Sequence, residues 1–151
     1  MKEIKLTHGK VALVDDEYFH YLNQWKWFAL NSYNNKYYAA RHLMKNYKQS
    51  TILMHRVIMN TSDCLQVDHI DNNGLNNQKA NLRNCTNQQN CFNRISINGN
   101  KGVSILRNNT YQVQIKINGK LKYLGVFNDI EDARKAYREA AKVLFGEFAG
   151  R

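Results

Sequence analysis

The spacing of apolar positions changes along this chain, and each change predicts an element. KVALV is a short apolar run and reads as a strand over Lys10 to Val14. Val14, Tyr18 and Leu22 then recur at helical spacing behind Asp15 and Asp16, either of which can start a helix. WKWFAL and KYYAARHLM read as strands separated by a turn at Asn34-Asn35. Trp25, Trp27, Phe28, Tyr37 and Tyr38 are expected to serve core and cross-strand packing, since large aromatics bury much apolar area. ILMHRVIMN is apolar with His55 and Arg56 in its middle.

The pattern then turns polar. LQVDHID alternates as a half-buried strand does, NNGLNNQKA is a polar loop around Gly74, and NLRNCT is a second short strand. NQQNCFNR carries good helix formers behind Thr86 or Asn87, both able to cap. The local order is strand, loop, strand, helix, followed by the linker ISINGN.

Beyond the linker, KGVSIL predicts a strand and Asn108-Asn109 a turn. TYQVQIKI alternates strictly, with Tyr111, Val113, Ile115 and Ile117 on one face and Gln112, Gln114 and Lys116 on the other. Asn118-Gly119 is a strong hairpin signal, and KLKYLGVF is the returning strand. Asn128, with Glu131 three residues on, predicts a capping box for a helix. Ile130, Ala133, Ala136, Tyr137, Ala140, Ala141 and Leu144 form its apolar stripe, and Gly146 ends it. The spacing predicts a three-stranded sheet whose Val/Ile face is covered by that helix.

Composition narrows the classes. The chain has 151 residues, 43% hydrophobic and 23% charged, ordinary values for a folded domain and not for a disordered one. No apolar run is long enough to span a bilayer, and MKEIKLTHGK lacks the apolar core of a signal peptide, so a cytoplasmic protein with no membrane partner is expected. Cys64, Cys85 and Cys91 are odd in number with no C-x-x-C pair, which points to free thiols instead of disulfides or a zinc knuckle.

Charge changes the picture more. The net charge is +10, the balance of a protein that meets a polyanion. Residues 98–128 hold five bases (Lys101, Arg107, Lys116, Lys120, Lys122) and no acid, whereas residues 129–151 are balanced, five against five.

Candidate chemistry sits in VDHID. Asp68 and His69 are adjacent on a strand, so their side chains leave on opposite faces and can serve different partners. Asn81 follows His69 by 12 residues and Asn90 by 21. A hairpin followed by a packed helix would gather them. Imidazole is a general base near neutral pH, and a carboxylate with an amide oxygen is a sparse hard-donor site suited to Mg²⁺. The bland reading makes Asp68-His69 a hydrogen-bonded turn and the asparagines caps. It suffices for each residue alone but not for the ordered set.

VDHID, NLR and NQQNCFNR, preceded by His55-Arg56, together resemble the HNH nuclease motif of the ββα-metal kind, in the variant whose third position is asparagine. The resemblance implies that Asp68 and Asn90 ligate a metal, Mg²⁺ with Mn²⁺ as a possible substitute. It implies that His69 is the general base and that Asn81 orients the loop and the histidine through backbone hydrogen bonds. Arg94 would steady a phosphate. His55 either is a satisfied buried histidine or, with Arg56, supports the site.

KGVSIL, YQVQIKI, LKYLGVF and AYREAAKVLFGEFA resemble the DNA-binding domain of plant ethylene-response factors, which also occurs fused to HNH homing endonucleases of phages and bacteria, and this implies a bacterial or phage-infected cell. The family's exposed sheet face lies in the major groove, at positions matching Lys101, Gly102, Ser104, Gln114, Lys116 and Tyr123. The plant pattern has arginine where this chain has Ser104, Leu106 and Leu121, and tryptophan at Tyr123, so the plant target does not carry over. Charge and position add Arg107, Gln112 and Lys122 to the candidates.

The expected fold class is therefore α+β: a ββα-metal module with a β-rich N-terminal extension (1–97, core motif about 52–96), then a sheet-and-helix DNA-binding domain (98–151). The expected function is site-specific cleavage of double-stranded DNA by a monomer, of the homing type. The competing readings are a DNA-binding regulator with an inactive nuclease module and a basic structural or RNA-binding protein.

Overall fold

The computed structural model describes residues 1–32, 35–94, 96 and 99–149. Its architecture is mixed α+β, in two compact units, Met1–Asn87 and Gln88–Arg151. Among the described residues no helix is long and apolar enough to cross a membrane.

The first unit opens with a hairpin, β1 (Lys2–Lys5) and β2 (Val11–Val14), followed by α1 (Asp16–Leu22). Strands β3 (Phe28–Asn31), β4 (Tyr37–Lys45) and β5 (Lys48–Leu53) form an antiparallel sheet in that order. The turn expected at Asn34-Asn35 lies partly outside the described residues, since Asn34 is not among them. ILMHRVIMN divides: its first residues finish β5, and Met54–Met59 form α2. A two-stranded ribbon follows, β6 (Gln66–His69) and β7 (Leu82–Cys85), paired Gln66↔Cys85 through His69↔Leu82.

Apolar residues from every part of this unit meet in one core: Ile4, Val14, Leu22, Trp27, Ala39, Met54, Ile58, Val67 and Leu82. Full burial of each large aliphatic side chain contributes about 1.5–3 kcal/mol. Val67 and Leu82 place the β6–β7 ribbon on that core, and this fixes where Asp68 and His69 stand. Trp27 also donates Nε1–H to the Leu22 carbonyl at 2.8 Å, closing the end of α1.

The second unit takes in most of α3 (Asn87–Asn93), then β8 (Val103–Ile105), β9 (Tyr111–Ile117), β10 (Lys120–Phe127) and the long helix α4 (Ile130–Phe145). The sheet order is β10-β9-β8, antiparallel throughout, and it packs on α4 as expected. Val113 and Ile115 are buried on the helix side against Ala133, Ala141 and Phe145. Asn118 and Gly119 both have positive φ, the conformation a two-residue hairpin turn demands. Gly146 ends α4 at φ 54°. Gly102 is required by space as well as by its φ of 70°: a Cβ there would fall 2.2 Å from the Tyr137 ring and 2.4 Å from the Gln114 carbonyl oxygen.

The cap of α4 differs from expectation. Asp129, not Asn128, is the N-cap, and its Oδ1 accepts from the N–H groups of Glu131 (2.7 Å) and Asp132 (3.2 Å). A carboxylate binds the exposed N–H groups more strongly than an amide does. Glu131 pairs with Arg134 instead of returning to the cap.

Candidate active site and sheet face

Asp68 and His69 end β6 on opposite faces, and both are buried. Across the ribbon Asp68 faces Arg83, whose Nε and Nη2 donate to Asp68 Oδ2 at 2.9 and 2.7 Å. The pair is nearly dry, 5% and 13% exposed at aspartate and arginine. A buried carboxylate needs such a partner, and Arg83 is one that sequence reading alone passed over. The signal was the NLR triplet, which set Arg83 two residues beyond Asn81, but only strand register shows that it meets Asp68.

His69 lies against two other rings. Its centroid is 4.9 Å from that of His55 on α2, edge-on, and 5.8 Å from that of Tyr38 on β4. Tyr38 also meets His55, at 5.7 Å. Burial lowers the His69 pKa below its ordinary value. A hydrogen bond with Asn77 and the charges of Asp71 and Asp68 oppose that shift, and Lys36 adds to it. The imidazole is thus neutral near pH 7, the form that accepts a proton. His55 is lowered to about 3, by burial first, then by the charge that His69 takes on in acid and by the charge of Arg56.

The loop between the strands is tied by its own asparagines. Asn81 Oδ1 accepts the Asp71 N–H at 3.0 Å, and its Nδ2 donates to Asp71 Oδ1 and to the Asn76 carbonyl, each at 2.9 Å. The Asn81 carbonyl accepts from Ile70 N–H at 2.9 Å. Asp71 further accepts from the Asn73 N–H and the Asn76 amide, both at 2.8 Å. Burial works against the ionised Asp71, but these hydrogen bonds outweigh it and hold its pKa below the usual carboxylate value. The second aspartate of VDHID is therefore a loop organiser, a role the sequence reading left unassigned.

Other contacts lock the loop to the scaffold. Asn77 is fully buried and donates its backbone N–H to the Leu13 carbonyl, while Leu13 N–H bonds the Leu75 carbonyl. Asp15, placed as the N-cap of α1, turns its carboxylate instead to the Lys79 N–H at 2.7 Å. Gly74 leans on β4 so closely that a Cβ would fall 2.4 Å from the Tyr37 carbonyl oxygen and 2.6 Å from the Tyr38 ring. Arg56 fastens the chain leading into β6, donating to the carbonyls of Leu65 (2.9 Å), Ser62 (3.0 Å) and Thr61 (3.4 Å).

The structure thus gathers Asp68, His69, Asn81, His55 and Arg56 in the first unit. Asn90, on α3, and Arg94, just after it, belong to the second. Among the described residues no three His, Cys, Asp or Glu side chains converge as a metal cage. The donor types on offer by sequence are a carboxylate and amide oxygens. Such a set fits a hard cation that keeps several waters and takes further oxygens from a phosphate, as Mg²⁺ does.

A comparison with known proteins decides the family. The chain is 32% identical over 142 residues to an uncharacterized HNH endonuclease of Acanthamoeba polyphaga mimivirus, an alignment that spans 93% of this chain and 74% of that protein. The chain belongs to the HNH endonuclease family. No protein-family model matches it, and no solved structure does.

In this HNH chain the C-terminal sheet distributes its candidate residues unevenly. Directly opposed residues share a face, and the pairs Ser104↔Gln112, Gln112↔Val126, Gln114↔Tyr123 and Lys116↔Leu121 lie on the side away from α4. Lys122 pairs with Ile115 and so has the parity of the helix side, although it is exposed at the edge. Arg107 stands in the turn after β8. The Lys101 ammonium donates to the carbonyls of Phe92 (2.6 Å), Arg94 (2.8 Å) and Cys91 (3.3 Å), where it caps the end of α3. The five bases of residues 98–128 are therefore not one surface. The outward face carries Lys116 beside glutamines and exposed Leu121, Tyr123 and Val126.

Proposed function

We propose that this protein is a metal-dependent DNA endonuclease of the homing type that hydrolyses phosphodiester bonds at a specific site. The observation that carries the reading is the buried Asp68-His69 pair closing β6, with Asn81 bolting the loop beside it, on a chain of the HNH family. His69, neutral because it is buried, takes a proton from the attacking water. Asn81 keeps the loop and the imidazole in place. Asp68, oriented by Arg83, and Asn90 are the residues that would hold Mg²⁺, with Mn²⁺ able to replace it. The bound cation would stabilise charge on the phosphate and on the leaving 3′ oxygen, leaving a 5′ phosphate. Arg94 steadies a neighbouring phosphate.

In this reading residues 1–97 cut and residues 98–151 bind, the latter as a domain like that of ethylene-response factors. Ser104, Gln112, Gln114, Lys116 and Tyr123 meet the duplex from the outward sheet face, and Arg107 and Lys122 reach phosphates from its margins. Gln114 has the chemistry to read a base edge, and the lysines position the sheet. The protein acts as a monomer on double-stranded DNA.

Supercoiled-plasmid cleavage tests this, wild type beside His69→Ala, with and without Mg²⁺. Metal-dependent conversion to open circles or linear product, lost in the variant, is expected. Equal cleavage by the variant would sink the assignment. A tightly bound fragment left intact by the wild type would favour the regulator reading instead.

A further inference from the structure

The β4–β5 hairpin runs past its sheet. β3 pairs with β4 only over Tyr37–Ala40, whereas β4 and β5 continue together from Arg41↔Ile52 to Lys45↔Lys48. Five residues of each strand thus project as a two-stranded ribbon, about 17 Å long at the usual rise per residue. From His42 to Thr51 every residue is exposed. At its base the ribbon touches the fold, with Arg41 over the Trp25 ring and the His42 ring 4.6 Å from that of Phe28; beyond His42 it is wet on both faces, so its side chains there are available to a partner.

Charge points to a polyanion as that partner, and the turn to a surface that covers it. Between Glu17 and Asp63 the chain has no acidic residue, but six lysines and arginines: Lys26, Lys36, Arg41, Lys45, Lys48 and Arg56. Lys45 and Lys48 stand directly opposite each other beside the turn, a like-charge pair that weakens a hairpin. The turn itself is Asn46-Tyr47, both at positive φ, 51° and 59°. Glycine is favoured there, and a bulky aromatic is strained. This tyrosine is fully exposed, so no burial within the protein offsets the strain. Phosphates between the lysines would relieve the repulsion, and packing of the exposed ring against a partner would offset the strain.

We propose that residues 42–51 are a second DNA-docking element, a β-ribbon that enters a groove of the duplex independently of the C-terminal sheet. A two-stranded ribbon fits the major groove, about 12 Å wide. Lys45 and Lys48 contact phosphates, and Tyr47 packs at the tip. On the opposite face Met44 and Gln49 lie side by side, and Gln49 is held by the His42 ring nitrogen at 2.8 Å. This inference rests on the nuclease reading for its choice of duplex DNA, but its test uses binding alone.

The experiment titrates full-length protein onto a random-sequence DNA duplex, without divalent cation, over a range of salt. Lys45→Gln/Lys48→Gln should weaken binding at least about tenfold at low salt and reduce the slope of log K against log salt by about 1.8, two contacts at roughly 0.9 each. Tyr47→Gly should weaken binding several-fold while raising Tm, because glycine suits the turn. A merely structural role cannot give that opposite pair of signs. Unchanged affinity and slope in the double variant would overturn the proposal, as would stronger binding to duplex RNA than to DNA. A tightly bound fragment left uncut in Mg²⁺, with an intact ribbon effect, would instead count against the nuclease reading.

Discussion

The β6–β7 ribbon and the β9–β10 hairpin are built from similar polar residues and use them in opposite ways. In the first, the polar groups satisfy one another: Asp68 with Arg83, and Asp71 with Asn73, Asn76 and Asn81. In the second, Gln112, Gln114 and Lys116 stand on an outward face beside exposed Leu121 and Tyr123. The contrast separates preorganisation from presentation. A site that must hold one geometry commits its side chains internally before any ligand arrives. A surface that must meet a partner leaves them in water. Substitutions in the two places should therefore fail differently, the first in stability and rate, the second in affinity and salt dependence.

The largest separation is expected at His69. His69→Ala should lower cleavage by about 10²–10⁴-fold, the usual worth of a positioned general base, while DNA affinity in a gel-shift titration stays close to wild type. A parallel loss of affinity would break the distinction. Next, Arg83→Met should leave Asp68 buried without its guanidinium and destabilise the protein by about 3–5 kcal/mol in urea denaturation. A cost under about 1 kcal/mol would mean that the pair is exchangeable with water.

Gly74→Ala should come third. The added methyl has no room beside the Tyr37 carbonyl oxygen and the Tyr38 ring, and overpacking of that kind costs about 1–3 kcal/mol. Cleavage should fall with it, since Tyr38 also touches His69.

Acid sharpens the comparison further. The folded pKa of His55 lies below its ordinary 6.5, at about 3, so the unfolded chain takes up the proton first. Stability is then complete above about pH 6.5 and is lost as pH falls from there toward 3, by up to about 1.4 kcal/mol per pH unit. The lowered pKa of His69 acts in the same direction. His55→Phe should flatten the acid side of a Tm-against-pH curve, and an unchanged curve would count against the buried neutral imidazole. Smallest of all, Lys116→Ala should alter stability by less than about 0.5 kcal/mol and lower the salt slope of DNA binding by about 0.9.

Much of this molecule is local, and the local part is legible in its sequence. Period and turn chemistry mark β2, α1, β6, β7, α3 and the whole C-terminal sheet and helix, because each depends on neighbours within a few residues. The order Asp68, His69, Asn81, Asn90 is likewise a matter of spacing. What escapes is whatever a distant residue decides. Asp15 looks like a helix cap, yet its carboxylate serves Lys79, 64 positions away. Lys101 looks like a surface charge, yet it caps α3. Lys122 and Tyr123 both look outward, yet adjacent strand residues cannot share a face, and pairing with Ile115 gives Lys122 the helix side. Asp68 meets Arg83 only through strand register. Sequence determines which chemistry each residue can offer, since that resides in the side chain and its near neighbours. Tertiary structure decides which partner receives it, because charges and buried polar groups bind the nearest complement in space, whatever the distance along the chain.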